Sequence, residues 1–182
     1  MEMKEFVIRD IRFGDFEDII DTYYSYYGEI KENPELGITL FRETPNLGSE
    51  VDWFRDLYKE KLNGNRIVVV AEADGKAVGM CEIARNRPGS EEDHIGRLGI
   101  AVRREYRSNG AGKRLIEEAL RQSKGKFEQI ILEVFEDNVV ATKLYEKMGF
   151  REYGLLKNAI KRNGKYMGHR LMYLNMGHKA KE

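Results

Sequence analysis

A run of small residues at positions 107–113, with the sequence Arg-Ser-Asn-Gly-Ala-Gly-Lys, has the clearest chemical use in this chain. An apolar pattern at helical spacing follows it, which predicts a turn at a helix N-terminus. Because Gly110 and Gly112 lack Cβ atoms, a phosphate could reach backbone N–H groups that have no helical partner, at the positive end of the helix dipole. The run therefore suits a pyrophosphate, although two glycines alone are more typical of an ordinary turn.

A second candidate for chemistry is Glu133, which interrupts the apolar strand residues Leu132 and Val134. Burying an unpaired carboxylate costs free energy, and a raised pKa near a reaction centre would give it a use as a general base. A salt-bridged carboxylate on the solvent-facing or helix-facing side of the strand is the equally weighted alternative. Glu82 and His94 are further candidate bases, the histidine because imidazole side chains commonly transfer protons near neutral pH.

The elements that position these residues are predicted from apolar periodicity and turn signals. Asp74-Gly75 and Asn163-Gly164 are typical of two-residue hairpins, while the helix after Gly110 requires a β-α-β crossover. The sequence therefore predicts a single mixed α/β domain over residues 1–176. Strands are predicted at 6–11, 66–72, 76–84, 94–102, 129–135, 151–156 and 166–174, and helices after 15, at 51–62, after 110 and at 139–148.

Two segments are predicted to be irregular. Glycine, asparagine and proline recur between 28 and 49, which indicates a variable loop or a broken helix. Loops of this length often serve binding. Residues 177–182 are predicted to be a frayed tail.

Composition argues against several classes of function. Lys and Arg number 31 and Asp and Glu number 31, so no overall positive field draws the chain to nucleic acid. The single cysteine, Cys81, and three scattered histidines predict neither a disulfide nor a metal site. The apolar runs are far shorter than the roughly 20 residues of a membrane span, and the N-terminus is acidic and polar. We therefore expect a cytoplasmic protein without membrane contact.

Two motifs in a fixed order connect the chain with a known family. Ile100-Ala101-Val102 precedes Arg107-x-x-Gly110-x-Gly112, and Leu132-Glu133-Val134 precedes Asn138-x-x-Ala141-x-x-Leu144-Tyr145-x-x-x-Gly149-Phe150. From about His94 to Phe150 the chain resembles the GNAT superfamily of acetyl-CoA-dependent N-acyltransferases, with some similarity to ribosomal-protein alanine N-acetyltransferases. The resemblance implies a mixed, mostly antiparallel sheet with helices on both faces, in which two parallel strands, 94–102 and 129–135, splay apart.

The resemblance also implies acetyl-CoA as the cosubstrate, without a metal, and it assigns residues to that molecule. Ile100 and Val102, with Ala101 between them, would offer backbone groups to the acetyl and pantetheine arm. Asn138 would contact pantetheine, and Ala141 belongs to the same set. The pyrophosphate would be wrapped by the whole run of small residues: Arg107, Ser108, Asn109, Gly110, Ala111, Gly112 and Lys113.

Catalytic roles follow from the same resemblance. Tyr145 stands where many members carry a tyrosine that protonates the departing thiolate, although its helical spacing with Leu144 and Met148 also suits packing. Glu133 lies twelve residues before Tyr145, as the proposed base does in ribosomal-protein alanine N-acetyltransferases. A glutamate that other members carry before the glycine turn is missing, since residues 96–99 are Gly-Arg-Leu-Gly.

The acceptor side is the part of the site that the sequence defines least. Four tyrosines cluster on the first predicted helix, which borders the acceptor site in the family's arrangement: Tyr23, Tyr24, Tyr26 and Tyr27. At helical spacing they cannot all face one pocket, so at least two should pack or lie on the surface. A charge run follows that could attract a cationic acceptor or simply be solvated: Glu29, Glu32 and Glu35.

The expected activity is transfer of an acetyl group from acetyl-CoA to a primary amine of a small molecule or of a protein N-terminus. The amine would attack directly, with general acid and base assistance, and an insertion at 28–49 that narrows the cleft favours a small acceptor. A non-catalytic acyl-CoA sensor is the alternative, and a homodimer stays open. A nucleic-acid module has support from four cations alone: Arg103, Arg104, Arg107 and Lys113.

Overall fold

The apolar and alternating runs of the chain form strands of one sheet in a computed structural model that describes residues 5–34, 36–39 and 43–177. Helices join these strands or cover the sheet. In chain order the elements are β1 (Val7–Asp10), α1 (Phe16–Glu32), α2 (Leu47–Leu62), β2 (Arg66–Ala73), β3 (Lys76–Arg85), β4 (Ile95–Val102), α3 (Ala111–Ser123), β5 (Gln129–Phe135), α4 (Val139–Lys147), β6 (Arg151–Arg162) and β7 (Lys165–Asn175).

The sheet has the strand order β1-β2-β3-β4-β5-β7-β6. All neighbouring strands pair antiparallel except β4 and β5, which are parallel. The chain reaches β5 from β4 through α3, because parallel neighbours need a crossover rather than a tight turn. The predicted mixed α/β fold with one parallel pair is confirmed.

Both predicted two-residue turns join their strands as expected. Asp74 and Gly75 have φ angles of 51° and 76°, and Asn163 and Gly164 have φ angles of 50° and 78°. Positive φ at both central positions matches the right-handed twist of the flanking strands. These turns fix the registers of the β2–β3 and β6–β7 hairpins.

Helices cover both faces of the sheet and bury a separate apolar cluster on each. On one face, Leu115 of α3 and Tyr145 of α4 pack with residues of β2 to β5. On the other face, Ile19 of α1 and Phe54 of α2 pack on Val68 and other residues of β2 and β3. The α1 and α2 pair lies over β2 and β3, so the same face of β5 and β7 is left for other groups.

The segment between the first two helices is shorter than the predicted range 28–49. α1 continues through Gly28 to Glu32, because burial of Tyr27 and Glu29 outweighs the roughly 1 kcal/mol that a helical glycine costs. α2 begins at Leu47, where the Asn46 side chain accepts a hydrogen bond from the Ser49 N–H at 3.0 Å. Positions 35 and 40–42 of this segment, and 178–182 of the predicted tail, lie outside the described residues.

β6 forms one edge of the sheet and is longer than the predicted strand 151–156. Its pairing with β7 is interrupted between Leu156 and Ile160 and resumes with Ile160 opposite Met167. Asn158, inside this interruption, has a positive φ of 56°. A β-bulge therefore absorbs residues that break the alternating pattern, which is why the sequence predicts only the first half of the strand.

Within the described ranges, no three His, Cys, Asp or Glu side chains converge where they could hold a metal ion. None of the helices described is long and apolar enough to span a bilayer.

Gly96→Ala should destabilise the fold at the point where β4 and β5 pair. A Cβ at Gly96 would lie 2.6 Å from Ile83 Cγ2 and 2.7 Å from Ile130 Cδ1, both in the packed core. Overpacking of this kind costs about 1–3 kcal/mol, which urea denaturation would show as a lower midpoint with an unchanged slope. Gly99→Ala is the control on the same strand, since its Cβ would meet nothing closer than Glu82 Oε1 at 3.5 Å. Equal losses in the two variants would contradict this packing argument.

Candidate active site

The parallel strands β4 and β5 pair over a short distance and then separate. Ile95, Gly96 and Arg97 lie opposite Gln129–Ile131, whereas the two strands continue to Val102 and Phe135. We call the space between residues 98–102 of β4 and 132–135 of β5 the splay gap. Backbone groups along this gap have lost their ladder partners, so they must be satisfied by other groups or by a ligand.

The end of β4 shows which of its backbone groups face the gap. The Val102 N–H donates to the Tyr26 hydroxyl at 2.7 Å, and that hydroxyl donates back to the Val102 carbonyl at 3.2 Å. The next residue, Arg103, donates its N–H to β3 instead. Because alternate residues direct their backbone groups to the same side, Ile100 faces the gap as Val102 does, while Ala101 pairs with β3. The Ile100 backbone is therefore positioned to bind a ligand in the gap.

The run of small residues forms the predicted turn into α3. Gly110 precedes the first helical residue with a φ of 86°, and Ser108 also has a positive φ, of 61°. A Cβ at Gly110 would meet no atom within 4 Å, whereas one at Gly112 would lie 3.3 Å from Leu144 Cδ2. The turn thus leaves open space at Gly110 and places α3 close to α4 at Gly112. The first N–H groups of α3 have no helical carbonyl to bind, which suits an anion.

The side chains of this turn point in different directions. Asn109 donates to the Arg107 carbonyl at 3.1 Å, which closes the turn on itself. Ala111 is buried in the core under the helix start. Lys113 lies on the exposed side, 3.5 Å from Glu117, so its cation stays near the helix N-terminus.

Arg107 directs its guanidinium towards α1 rather than along the turn. Its Nη1 and Nη2 donate to the two carboxylate oxygens of Glu29 at 2.6 and 2.7 Å, and its Nε donates to the Val102 carbonyl at 2.8 Å. The guanidinium also lies 4.8 Å from the centre of the Tyr26 ring. The Arg107 side chain therefore connects the turn, the end of β4 and α1. Since the guanidinium is occupied by these contacts, only the backbone of Arg107 is available to bind a phosphate.

Tyr145 lies on the buried side of α4, beside the splay gap. Its ring packs edge-on against Phe150 at 5.9 Å, as the predicted packing role requires. Burial, with smaller contributions from Cys81 and Tyr26, raises the pKa of the hydroxyl well above its usual value of 10.0. Tyr145 belongs to the same apolar cluster as Val102 at the end of β4. This hydroxyl makes no hydrogen bond with any residue that the structure describes, so it is a free donor.

Asn138 occupies the N-terminus of α4 and serves two neighbours. Its side-chain oxygen accepts from the Ala141 N–H at 3.1 Å, and its amide nitrogen donates to the Gly37 carbonyl at 3.1 Å. Gly37 approaches so closely that a Cβ there would lie 2.7 Å from Phe135 Cβ. Asn138 therefore caps the helix and holds the α1–α2 segment at the end of β5.

Glu133 lies on the sheet face that α1 and α2 leave uncovered, with both of its oxygens in contact with other groups. Oε1 accepts from Arg97 Nη1 at 2.7 Å across the parallel pair, and Oε2 lies 3.3 Å from Nδ1 of the buried His169. The carboxylate is about two-fifths exposed, at 42% of its side-chain area. These contacts match the salt-bridged alternative, while its place on β5 keeps it at the margin of the splay gap.

Glu82 lies across the gap from Glu133, on β3. Its Oε2 accepts from Arg66 Nη1 at 2.7 Å, and its Oε1 lies 3.5 Å from the place that a Cβ of Gly99 would occupy. Burial raises the pKa of Glu82 above its usual 4.5, and the charge of Arg66 opposes this rise. The third candidate base, His94, is exposed just before β4, at the opposite end of that strand from the gap.

The tyrosines and glutamates of α1 divide into different environments. Tyr26 and Tyr27 are buried, whereas Tyr24 reaches the Pro45 carbonyl at 2.9 Å and Tyr23 packs edge-on against Trp53. Glu29 is buried in its ion pair with Arg107. Glu32 pairs with Arg104 on the surface, and Glu35 lies outside the described residues. The predicted cationic attraction by this run thus has little support, because its described members already hold arginines.

Comparison with known proteins agrees with this geometry. A family profile described as "Acetyltransferase (GNAT) family" matches residues 20–150. The chain belongs to the GNAT acetyltransferase family. It is 33% identical over 102 residues to the L-amino acid N-acetyltransferase AaaT of Escherichia coli (strain K12). That match covers 54% of this chain and 62% of the relative, so the chain spans less than two thirds of the relative's length.

Two solved structures show how closely the GNAT fold is preserved. A ribosomal-protein-alanine N-acetyltransferase from Brucella melitensis superposes with a TM-score of 0.78 at 24% identity, covering 93% of this chain and 99% of its own. The protein yncA from Salmonella typhimurium, described as a putative acetyltransferase with its cofactor acetyl-CoA, gives 0.82 at 15% identity, covering 98% of both chains. At these identities the similarity shows the shared fold.

Glu29→Ala should destabilise the protein far more than Glu32→Ala. The Glu29–Arg107 pair is mostly buried, with side-chain exposures of 9% and 30%, so the change leaves a guanidinium without its carboxylate. We expect a loss of roughly 2–4 kcal/mol, somewhat below the range for fully buried pairs. The Glu32–Arg104 pair is 70% and 67% exposed, and its loss should cost less than about 1 kcal/mol. Thermal and urea denaturation would measure the free energy of unfolding of both variants. Similar decreases in the two would contradict the difference assigned to the two ion pairs.

Proposed function

We propose that this protein transfers the acetyl group of acetyl-CoA to a primary amine by direct attack of the amine on the thioester. The observation that carries the proposal is the free Tyr145 hydroxyl beside a gap in which the Ile100 backbone has no partner on β5. A cosubstrate that lies in the gap would satisfy those backbone groups. Bound acetyl-CoA would supply the activated acetyl group and a thiolate as leaving group.

The start of α3 would hold the pyrophosphate of the cosubstrate. Its N–H groups are directed out of the helix beside the open space at Gly110, and Lys113 adds a cation nearby. The backbone of residues 107–112 would take part, while the Arg107 side chain keeps the turn in place through Glu29 and Val102. At the other side of the gap, Asn138 and Ala141 start α4 and would border the pantetheine arm.

Tyr145 would act as the general acid. Because burial raises its pKa, the hydroxyl stays protonated throughout the range in which an amine can attack. It can donate its proton to the departing sulfur, which makes the thiolate a better leaving group.

Two carboxylates flank the gap and could accept the proton of the attacking amine, directly or through water. The contacts favour Glu82, because burial raises its affinity for a proton and its Oε1 is turned towards Gly99. Glu133, the candidate from the sequence, shares its oxygens between Arg97 and His169. Removing each carboxyl in turn would separate the two assignments.

A small-molecule acceptor fits the surface beside α1. A cavity of about 570 Å³ lies between α1 and the β6–β7 hairpin, within the size range of small-ligand sites. Tyr27 and Ile30 provide apolar walls, and Lys31 and Arg162 contribute positive charge. Arg162 also donates to the Leu36 carbonyl at 2.7 Å, which holds the α1–α2 segment over this side. The L-amino acids named for the Escherichia coli relative are acceptors of suitable size, with a carboxylate to match these cations.

Tyr145→Phe should separate cosubstrate binding from turnover. The variant keeps the ring and its contact with Phe150, so calorimetry should find acetyl-CoA affinity within about twofold of wild type. Thiol release with an acceptor should fall by roughly a hundredfold to ten-thousandfold, as loss of a general acid does. An acyl-CoA sensor would bind acetyl-CoA and release no acceptor-dependent thiol in either protein. Full turnover in the variant would remove Tyr145 from the mechanism.

Glu82→Gln and Glu133→Gln form a matched pair that tests the base. If Glu82 accepts the proton, wild-type turnover should rise with pH as the carboxyl ionises, at a pH above its usual pKa of 4.5. Glu82→Gln should remove this rise and lower turnover by roughly a hundredfold near neutral pH, with recovery at high pH where the amine is already deprotonated. Glu133→Gln should keep the pH profile. The opposite pattern would assign the base to Glu133.

A further inference from the structure

The buried face of α2 contains a carboxylate where its pattern calls for an apolar residue. Glu50, Phe54 and Leu57 follow one another at helical spacing, and all three are buried, with Glu50 exposed by only 8%. The sequence prediction begins this helix at Val51 and gives Glu50 no role. The fold places it under α1 instead.

Glu50 has no partner for its charge among the residues that the structure describes. Its carboxylate forms neither a hydrogen bond nor an ion pair with any residue in the described ranges, and burial raises its pKa above 4.5. Other buried carboxyl groups of this protein are paired, as Glu29 is with Arg107 and Asp15 with Arg9. With no cation among the described residues beside it, this carboxylate could accept a cationic ligand, which would offset the cost of burying the charge.

The surroundings of Glu50 have the chemistry of an ammonium site. The start of α2 lies against α1, since the Tyr24 hydroxyl donates to the Pro45 carbonyl at 2.9 Å. Burial raises the pKa of Tyr23, Tyr24 and Tyr27, and the negative charge of Glu50 adds to the rise for each of them. Trp53, one turn along α2, packs edge-on against Tyr23 with ring centres 5.3 Å apart. Aromatic faces around a carboxylate attract alkylammonium groups.

This cluster is connected to the splay gap through α1. Tyr23 contacts Tyr26 with ring centres 6.3 Å apart, and the Tyr26 hydroxyl is bonded to Val102 at the end of β4. Tyr27 lines the cavity between α1 and the β6–β7 hairpin. An acceptor whose amine reaches the gap could therefore extend a second group towards Glu50.

We propose that Glu50, with Tyr23, Tyr24 and Tyr27, binds an ammonium group that the acceptor carries in addition to the amine that is acetylated. The proposal rests on the proposed acetyl transfer and narrows its substrate class to acceptors that carry a second ammonium group, such as L-lysine among the L-amino acids, or a diamine. One amine is acetylated and loses its proton, while the second stays charged beside the carboxylate. Glu50 is thus a specificity residue, and the acetyl transfer itself does not use it.

The test compares acceptors that differ only in the second ammonium: diaminobutane with butylamine, and L-lysine with L-norleucine. In thiol-release assays, the wild-type protein should prefer the charged member of at least one pair by at least about tenfold in kcat/KM. Glu50→Gln should abolish this preference while leaving the uncharged member unchanged within about twofold. No preference in either wild-type pair, or equal losses for both members in the variant, would overturn the proposal.

Asp52→Asn is the matched control. It removes the same charge from the same helix, but Asp52 is 65% exposed and pairs with Arg55 on the surface. This variant should keep the wild-type preference. A loss of preference in Asp52→Asn equal to that in Glu50→Gln would show a general field effect and would contradict a specific site.

Binding without turnover keeps this inference separate from the proposed function. Diaminobutane or L-lysine should raise the melting temperature of the wild-type protein and leave that of Glu50→Gln unchanged, while the uncharged analogues affect neither. The unliganded variant should melt at or above the wild-type temperature, because it loses an unpaired buried charge. Ligand-dependent stabilisation without thiol release would reject acetyl transfer and keep the ammonium site. No wild-type stabilisation by either base would reject the site.

Discussion

Separation of β4 from β5 after three paired residues is the constraint around which this protein is organised. A sheet interior normally satisfies every backbone group, and a gap inside it leaves donors and acceptors without partners in a partly dry environment. The Tyr26 hydroxyl satisfies one part of this gap, because it bonds to both the N–H and the carbonyl of Val102. The Ile100 backbone remains for a ligand. Backbone donors and acceptors therefore lack strand partners at the place where the thioester would lie.

α1 links the parts of the site that the chain order keeps apart. Through Glu29 it holds Arg107 and so the turn before α3, and through Tyr26 it holds the end of β4. These two residues lie one turn apart on the side of α1 that faces β4 and α3. On the side towards α2, Tyr23 packs against Trp53, and Tyr27 lines the cavity proposed for the acceptor. One helix therefore connects the proposed cosubstrate and acceptor sites, and its position affects both.

Local signals in the sequence predict most of the fold, and contacts between distant residues account for what they miss. The turns at Asp74-Gly75 and Asn163-Gly164, and the turn into α3, depend on residues adjacent in the chain. The Arg107–Glu29 pair depends on elements 78 residues apart, and no local pattern marks it. The sequence prediction starts α2 at Val51, so the burial of Glu50 in the first turn of this helix follows only from the fold.

The two candidate bases show the same limit at the site itself. The apolar strand around Glu133 leaves open whether this side chain is a base or a salt-bridged carboxylate. Its contacts with Arg97 and His169 are set by the registers of β4 and β7. Glu82 faces the gap because its neighbour on β4 is Gly99, which has no side chain to cover it. A strand register is a property of the assembled sheet. The sequence therefore predicts which residues are candidate bases, but it does not predict their contacts or their burial.

The bulge in β6 has a consequence for how copies of this protein meet one another. β6 is an outer strand, and a long regular outer strand can recruit the same strand of another molecule and polymerise. The interruption between Leu156 and Ile160 divides this free ladder into two short stretches that are out of step. Lys157 and Lys161 add charge to the same strand. An incoming strand can pair with one stretch at a time, so the hairpin that borders the cavity is protected against fibre-like growth while its inner strand stays paired to β5.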